Sequence, residues 1–454
     1  SAAAMAELRQ RPVGARLGQP LGSSASIRSD TDTDTELDTL CLEEEDEADA
    51  QTERPDTAQA DAAGAKVAHS GGENKLVKLA KRLIFGTLML ATLCGIVSLG
   101  HLATLGLVLF VQILMFRELV NVRYRNRHIK HIPLFRTTQW GWFYTCLLYT
   151  YGNAFSEERA FSLLREGVVK QLLPYVELIS LGLYSFMLMT VVLTLQKGYY
   201  KYQMGQLAWT IATIVVTVVQ VNSFTQNILN GLFWFLFPVS LVICNDSMAY
   251  FCGMAFGRKL TARRFVGISP NKTWEGFIGG GVCTVVFAFF FPLVLVCYQF
   301  MVCPCEELFG SLFELRCKTP QVFLPTRYEL PRLVSYIVGT EMVTLLPIQI
   351  HGLFLGSFAS IVAPFGGLFA SGIKRAYKLK DFSSIIPGHG GVFDRVDCQL
   401  IMGLATQIYF TTFIGSSVIS RQRVLQLIST LAAEEQLLLY KELGDILRDT
   451  GLRA

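Results

Sequence analysis

The chain of 454 residues is 51% hydrophobic and 17% charged, with a formal net charge of +4 and a mean hydropathy of +0.40, a balance that points away from a set of soluble domains. Its apolar residues come in blocks, several reaching the roughly 20 residues that cross about 30 Å of hydrocarbon, so a polytopic membrane protein is expected. The net charge is then an average over unlike regions.

Residues 1–74 are acidic and polar with hardly an aromatic (DTDTDTELDTLCLEEEDEADAQTERPD at the centre). Such a stretch buries too little surface to offset its ordering entropy and is expected to be a disordered acidic N-terminal tail, with regulation by phosphorylation of its Ser and Thr as the lesser reading. Ser1 to Ala4 ahead of Met5 read as a cloning scar, and the acidity argues against an organellar transit peptide.

N-terminal transmembrane helices are expected over 75–228. Basic Lys75, Lys78, Lys81 and Arg82 precede apolar Leu83–Leu99, a second run spans Leu102–Phe116, and Arg117 to Arg136 are again basic. Two basic flanks around one hairpin put both on the cytosolic side. Runs follow at Thr137–Tyr151, Tyr175–Leu195 and Leu207–Val221, after which the uncharged NSFTQN reads as a lumenal turn.

The catalytic transmembrane region is expected over 229–418, with runs at Leu229–Phe256, Phe277–Tyr298, Ile348–Ala370 and Leu400–Ile414 and an amphipathic or partly inserted piece over Leu333–Leu346. Residues 419–454 read as a C-terminal surface helix. The fold class is therefore all-α, with about nine transmembrane helices. Alternation from a cytosolic start sets the loops 257–275 and 371–398 on the same, cytosolic, face.

Eleven cysteines are scattered, most of them inside apolar runs where they act as small hydrophobes. Cys303, Cys305 and Cys317 share one polar loop, which holds either a disulfide in an oxidising lumen or three thiols.

Three stretches carry chemistry. Asp246, in SLVICNDSMAYFCGMAF, lies inside an apolar run, where an acid costs about 2.5–3.5 kcal/mol and so faces a cation or metal in the bundle interior, or else bonds a neighbouring helix through Asn245 and Ser247. In SPNKTWEGFIGGG, Ser269 and Pro270 read as a helix cap and first helical residue, Lys272 lies near an anion-attracting helix start, Glu275 needs a partner, and Gly276, Gly279, Gly280 and Gly281 allow close helix packing. An ordinary membrane-flanking segment with a snorkelling Lys272 fits that stretch equally well.

The third stretch, SGIKRAYKLKDFSSIIPGHGGVFDRVD at 371–397, is the strongest. The positive-inside rule accounts for Lys374, Arg375, Lys378 and Lys380, but not for Asp381, Asp394 and Asp397 or for the close backbone approach that PGHGG permits. Carboxylates beside cations suit Mg²⁺-bound phosphates. His389 fits a phosphate donor, a residue behind a metal ligand or a turn residue.

The run Ser371, Lys374, Arg375, Lys380, Asp381, Ser383, Pro387, His389, Gly390, Gly391, Asp394, Arg395 and Asp397 resembles the full signature of the CDP-diacylglycerol synthases (phosphatidate cytidylyltransferases), and CNDSMAYFCGMAFGR and SPNKTWEGFIGG also look like that family. The resemblance covers roughly 75–440. It implies that CTP and phosphatidic acid give CDP-diacylglycerol and pyrophosphate, at the start of phosphatidylinositol and cardiolipin synthesis. It also implies Mg²⁺, one ion or two, with Asp246, Asp381, Asp394 and Asp397 as candidate ligands. Lys272, Lys374, Arg375, Lys380 and Arg395 would neutralise phosphates; Ser269, Thr273, Glu275, Ser371, Gly390 and Gly391 are candidates for substrate binding, and His389 for catalysis. A CTP-dependent polyprenol (dolichol) kinase is the nearest rival and a membrane transporter the rival of another class. The endoplasmic reticulum membrane is the expected location, with the site facing the cytosol. Bilayer lipid is an expected partner, a homodimer is left open, and no nucleic acid is expected.

Overall fold

The computed structural model describes residues 75–123, 134–156, 172–257, 259, 265–269, 272–305, 317–329, 335–336, 339–386, 390–415, 428–429 and 431–449. The expectations for the acidic tail, the basic segment after Arg123, Pro270, residues 306–316 of the cysteine loop, and Pro387 to His389 lie outside these residues.

The apolar runs become helices: α1 (Lys75–Ser98), α2 (His101–Arg123), α3 (Phe135–Ser156), α4 (Val176–Leu193), α5 (Tyr200–Ile214), α6 (Gln220–Asn230), α7 (Leu232–Phe256), α8 (Trp274–Val296) and the short α9 (Gln299–Val302). After two strands come α10 (Pro347–Ile361), α11 (Pro364–Ala376), α12 (Phe393–Phe413) and α13 (Ala433–Asp449). Six helical segments among the described residues are long and apolar enough to cross a membrane: α2, α4, the continuous α5–α6, α7, α8 and α10–α11. Leu178, Leu181, Phe186, Met189 and Val192 of α4 are exposed, a large apolar face that suits hydrocarbon rather than water. The chain is a helical, polytopic membrane protein.

At the centre α7 packs on α8, α8 on α10, and α12 on α6, α7 and α11. Phe233 and Phe237 of α7 stack 5.1 Å apart, fully buried with Leu241, Leu355 and Ala288. A smaller cluster joins Phe116, Phe143, Ile214 and Val218. Pro238 and Pro292 sit inside α7 and α8, where neighbouring helices make such interruptions tolerable.

Three details differ from the sequence expectation. NSFTQN is no turn but part of α6, which continues α5 through a π turn at Val215–Val219. Its Ser223, Thr225 and Asn227 are buried, Asn227 Nδ2 donates to the Gly403 carbonyl of α12 at 2.9 Å, and the chain reverses instead at Gly231, whose φ of 134° favours glycine. The run Ile348–Ala370 divides between α10 and α11, because Pro364 starts a new helix and cannot donate into the old one. The piece over Leu333–Leu346 ends not as an inserted helix but as strand β2 (Met342–Leu345), paired antiparallel with β1 (Thr326–Glu329). This ladder is the one exception to the all-α expectation among the described residues. Of the two readings left for the cysteine loop the disulfide is the one found, between Cys303 and Cys317, and Cys305 is buried outside the bridge.

Leu437, Leu438, Leu443 and Ile446 of α13 are exposed.

Candidate active site

The stretch 371–397 is only partly a loop. Lys374 and Arg375 occupy the last turn of α11, and Asp394, Arg395 and Asp397 the first turn and a half of α12. Cations at a helix C-terminus and an acid at an N-terminus both complement the helix dipole, so the charges that made the stretch look unstructured stabilise two helix ends. α11 stops in a Schellman arrangement: Leu379 N donates to Lys374 O at 2.7 Å and Lys378 N to Arg375 O at 3.1 Å. Lys378 takes the left-handed position at φ 51°, and Leu379 behind it is buried.

The turn then folds over Asp394. Its Oδ1 accepts from Lys374 Nζ at 2.7 Å, and its Oδ2 accepts from Gly391 N at 3.0 Å and Phe382 N at 3.2 Å. The Lys374 ammonium also lies 5.5 Å from the centre of the Phe382 ring. Gly390, at φ 85°, passes between two acids: a Cβ there would stand 3.2 Å from both Asp381 Oδ1 and Asp394 Oδ2. Asp394 is thus committed to organising the turn. Ser371 donates to the Gly367 carbonyl of its own helix at 2.7 Å, while Arg375, Lys380 and Asp381 are exposed. His389 lies outside the described residues.

The other half of the site is built by α7 and α8. Glycine lets their backbones touch: a Cβ on Gly276 would lie 2.7 Å from the Ala249 carbonyl oxygen, and one on Gly280 2.8 Å from Ala249 N. The cap of α8 is Thr273, whose hydroxyl accepts from Gly276 N at 3.2 Å, rather than Ser269. The Ser269 carbonyl accepts from Lys272 N in a turn before the helix, so the expected cap is displaced by one whole turn. Glu275 is buried in the first turn of α8. On α7, Asn245 rather than Asp246 serves the neighbouring helix, accepting from Thr284 Oγ1 at 3.4 Å.

Asp246 is left for another task. It is exposed although it lies within an apolar span, and it interacts electrostatically with Lys272 and Arg395. Asp397 interacts with both Asp246 and Lys374. Two carboxylates from α7 and α12 therefore lie within electrostatic range of each other and of cations from α8's approach, α11 and α12. Gly366 and Gly367 make this possible on the α11 side: a Cβ on Gly367 would lie 3.0 Å from Cys398 Sγ and 3.5 Å from Asp397 Oδ2.

Among the described residues no three His, Cys, Asp or Glu side chains form a ready-made metal cage. The Asp246–Asp397 pair nevertheless fits Mg²⁺, which commonly takes one or two carboxylates and completes its shell with water and substrate phosphate. Asp381 is displaced beyond Gly390 and faces the turn.

One residue central to this arrangement escaped the sequence reasoning. Glu118 of α2 is buried and accepts hydrogen bonds from Ser383 Oγ, Val392 N and Phe393 N. The signal was present: Glu118 is the sole acid in α2, and the rule that singled out Asp246 applies to it equally.

Residues 80–413 match the model of the cytidylyltransferase family, a range that includes both halves of the site and Glu118. The chain is 40% identical over 375 residues to a protein of Dictyostelium discoideum named probable phosphatidate cytidylyltransferase, covering 81% of this chain and 78% of that one. It is 41% identical over 359 residues to human phosphatidate cytidylyltransferase 1, covering 79% and 76% of the two chains. Against phosphatidate cytidylyltransferase 1 of Arabidopsis thaliana it is 40% identical over 359 residues, covering 78% and 84%. The chain belongs to the cytidylyltransferase family.

Proposed function

We propose that this protein is a phosphatidate cytidylyltransferase, which condenses CTP with phosphatidic acid to give CDP-diacylglycerol and pyrophosphate. The observation that carries the reading is the Lys374–Asp394 ion pair, at 2.7 Å, joining the end of α11 to the start of α12, with Asp397 of α12 and the intramembrane Asp246 of α7 within electrostatic range of each other. The lipid's acyl chains need hydrocarbon and its phosphate needs the interface, and this position offers both.

The nucleophile is a phosphate monoester oxygen whose second ionisation lies near pH ~6, so it is anionic without a strong general base. It attacks the α-phosphorus of CTP; one P–O bond forms while the bond to the departing pyrophosphate breaks. The obstacle is repulsion between two polyanions, which fixed cations and oriented dipoles reduce. Lys272 and Arg395 flank Asp246 and are suited to bind phosphate oxygens there. Lys374, anchored by Asp394 at 2.7 Å, presents its charge toward Asp397. Asp246 and Asp397 would hold Mg²⁺, which when bound would supply Lewis-acid neutralisation of phosphate charge.

For topology we propose nine spans, the six apolar segments together with α1, α3 and α12. Alternation then sets the site on the cytosolic side and the 297–346 segment in the lumen. Two observations favour this. The Cys303–Cys317 bridge suits an oxidising lumen, and it lies beyond the end of 23-residue α8 opposite to Lys272, a helix about 34 Å long at 1.5 Å per residue. The α6–α7 reversal lies at that same end, where Cys305 N donates to the Leu229 carbonyl at 3.0 Å. The endoplasmic reticulum membrane meets these requirements.

The test is reconstitution into vesicles containing phosphatidic acid, with Mg²⁺ and CTP labelled at the α-phosphorus. Label should enter the lipid phase in step with pyrophosphate release, and chelation of divalent metal should abolish it. Release of labelled CDP with phosphorylation of a polyprenol would establish the kinase instead. Lipid or ion movement without either product would establish the transporter.

A further inference from the structure

We propose that Glu118 is a positioning residue for this reaction, a cap supplied from α2 that joins both flanks of the 384–391 turn and holds the start of α12 in place. The inference rests on the cytidylyltransferase reading above. The first amides of a helix need acceptors from outside the helix, and Val392, at the cap position of α12, offers no side-chain acceptor. Glu118 provides it: Oε1 accepts from Val392 N at 2.9 Å and Oε2 from Phe393 N at 2.8 Å. Ser383, on the near flank of the turn, donates its hydroxyl to Oε1. Three donors from two flanks converge on one buried carboxylate.

The backbone is shaped to admit it. A Cβ on Gly391 would stand 2.8 Å from Glu118 Oε2 and 3.1 Å from Oε1, so the glycine is needed for the carboxylate's approach. α2 also reaches the end of α11 by a second route. Trp209 Nε1 of α5 donates to the Leu119 carbonyl at 3.0 Å, and the Trp209 ring packs edge-on against Tyr377, 5.4 Å between centres. Tyr377 is the residue on which α11 ends. Thus α2 is the common reference for the helix carrying Lys374 and the helix carrying Asp394 and Asp397. Asp394 directly follows Phe393, whose amide Glu118 holds, so movement of this cap moves the acids. A misplacement of about 1 Å costs on the order of 10²-fold in rate.

The test is the isosteric Glu118→Gln, in which an amide NH₂ must face a backbone donor. Three results are expected of the purified full chain. The protein keeps its gel-filtration profile; kcat for CDP-diacylglycerol falls about 100-fold, with KM for phosphatidate within about two-fold; and the Mg²⁺ concentration for half-maximal rate rises. Amide hydrogen exchange over 383–393, measured without metal or nucleotide, should accelerate at least about ten-fold. A folded Glu118→Gln with wild-type kcat, Mg²⁺ dependence and exchange overturns the proposal. So does a lower rate explained wholly by a smaller folded fraction with unchanged Mg²⁺ dependence. If Glu118→Gln does not fold, Ser383→Ala decides: faster exchange and an upward shift in Mg²⁺ requirement support the cap, and wild-type behaviour overturns it. An inactive wild-type protein would instead overturn the cytidylyltransferase reading, and the exchange measurement would still test the cap.

Discussion

The two halves of the site are held by opposite means. The α7–α8 half is a seam of small residues in which Gly276 and Gly280 press against the Ala249 backbone, with the long Thr284–Asn245 bond as a polar link between the two helices. The α11–α12 half is held by polar bonds: Lys374 and two amides on Asp394, and Ser383 with two amides on Glu118. In hydrocarbon, close van der Waals contact can fix two helices without any polar group. A turn containing Gly390 and Gly391 has no such contact surface, so its amides must be satisfied one by one, and the acceptors come from wherever the fold can supply them. Packing thus fixes the acid of α7, and hydrogen bonding fixes those of α12.

That contrast can be broken at its junction first. Asp246→Asn should lower CDP-diacylglycerol formation by on the order of 10³-fold, the size of losing a key charge-stabilising group, while the thermal unfolding midpoint stays near wild type. Retention of more than a tenth of the rate would mean that the α7 half contributes packing alone. Next, Gly280→Val should cost about 1–3 kcal/mol in unfolding free energy, because the intruding atoms meet backbone that cannot rotate away. Measured against Glu118→Gln, it should lose stability more than it changes Mg²⁺ dependence; the reverse ranking would erase the distinction between the halves. The smallest effect is expected at Lys378→Gly. A left-handed residue with a side chain is strained by about 1–2 kcal/mol, partly offset by glycine's greater chain entropy, so a stabilisation below about 1 kcal/mol should appear in the thermal midpoint. A fall in kcat/KM for CTP there would show that Lys378 touches substrate.

How much of this could be read beforehand varies residue by residue. The chemistry-bearing stretch, the intramembrane Asp246 and the glycines of α8 were legible, because each is a local departure from an apolar background. The interruption of 348–370 at Pro364 and the extension of α6 through NSFTQN were not. Whether polar residues such as Asn222 and Asn227 end a helix or face another one depends on α12, far along the chain. Thr273 competes with Ser269 for the cap of α8, and both have the right side chain. Only the path of the chain into the α7–α8 seam decides for Thr273.

By itself, the sequence determined that this is a membrane protein with its charges gathered into a few interfacial stretches. Composition and short spacings suffice for that, since the cost of placing charge in hydrocarbon acts locally. The tertiary structure decided that Asp246 lies within electrostatic range of Asp397 while Asn245 turns to α8, that Asp394 organises the turn, and that Glu118 caps a helix 275 residues away. An acceptor brought by one helix to another's exposed amides leaves no periodicity in either segment, because the need lies in one part of the chain and its satisfaction in the other.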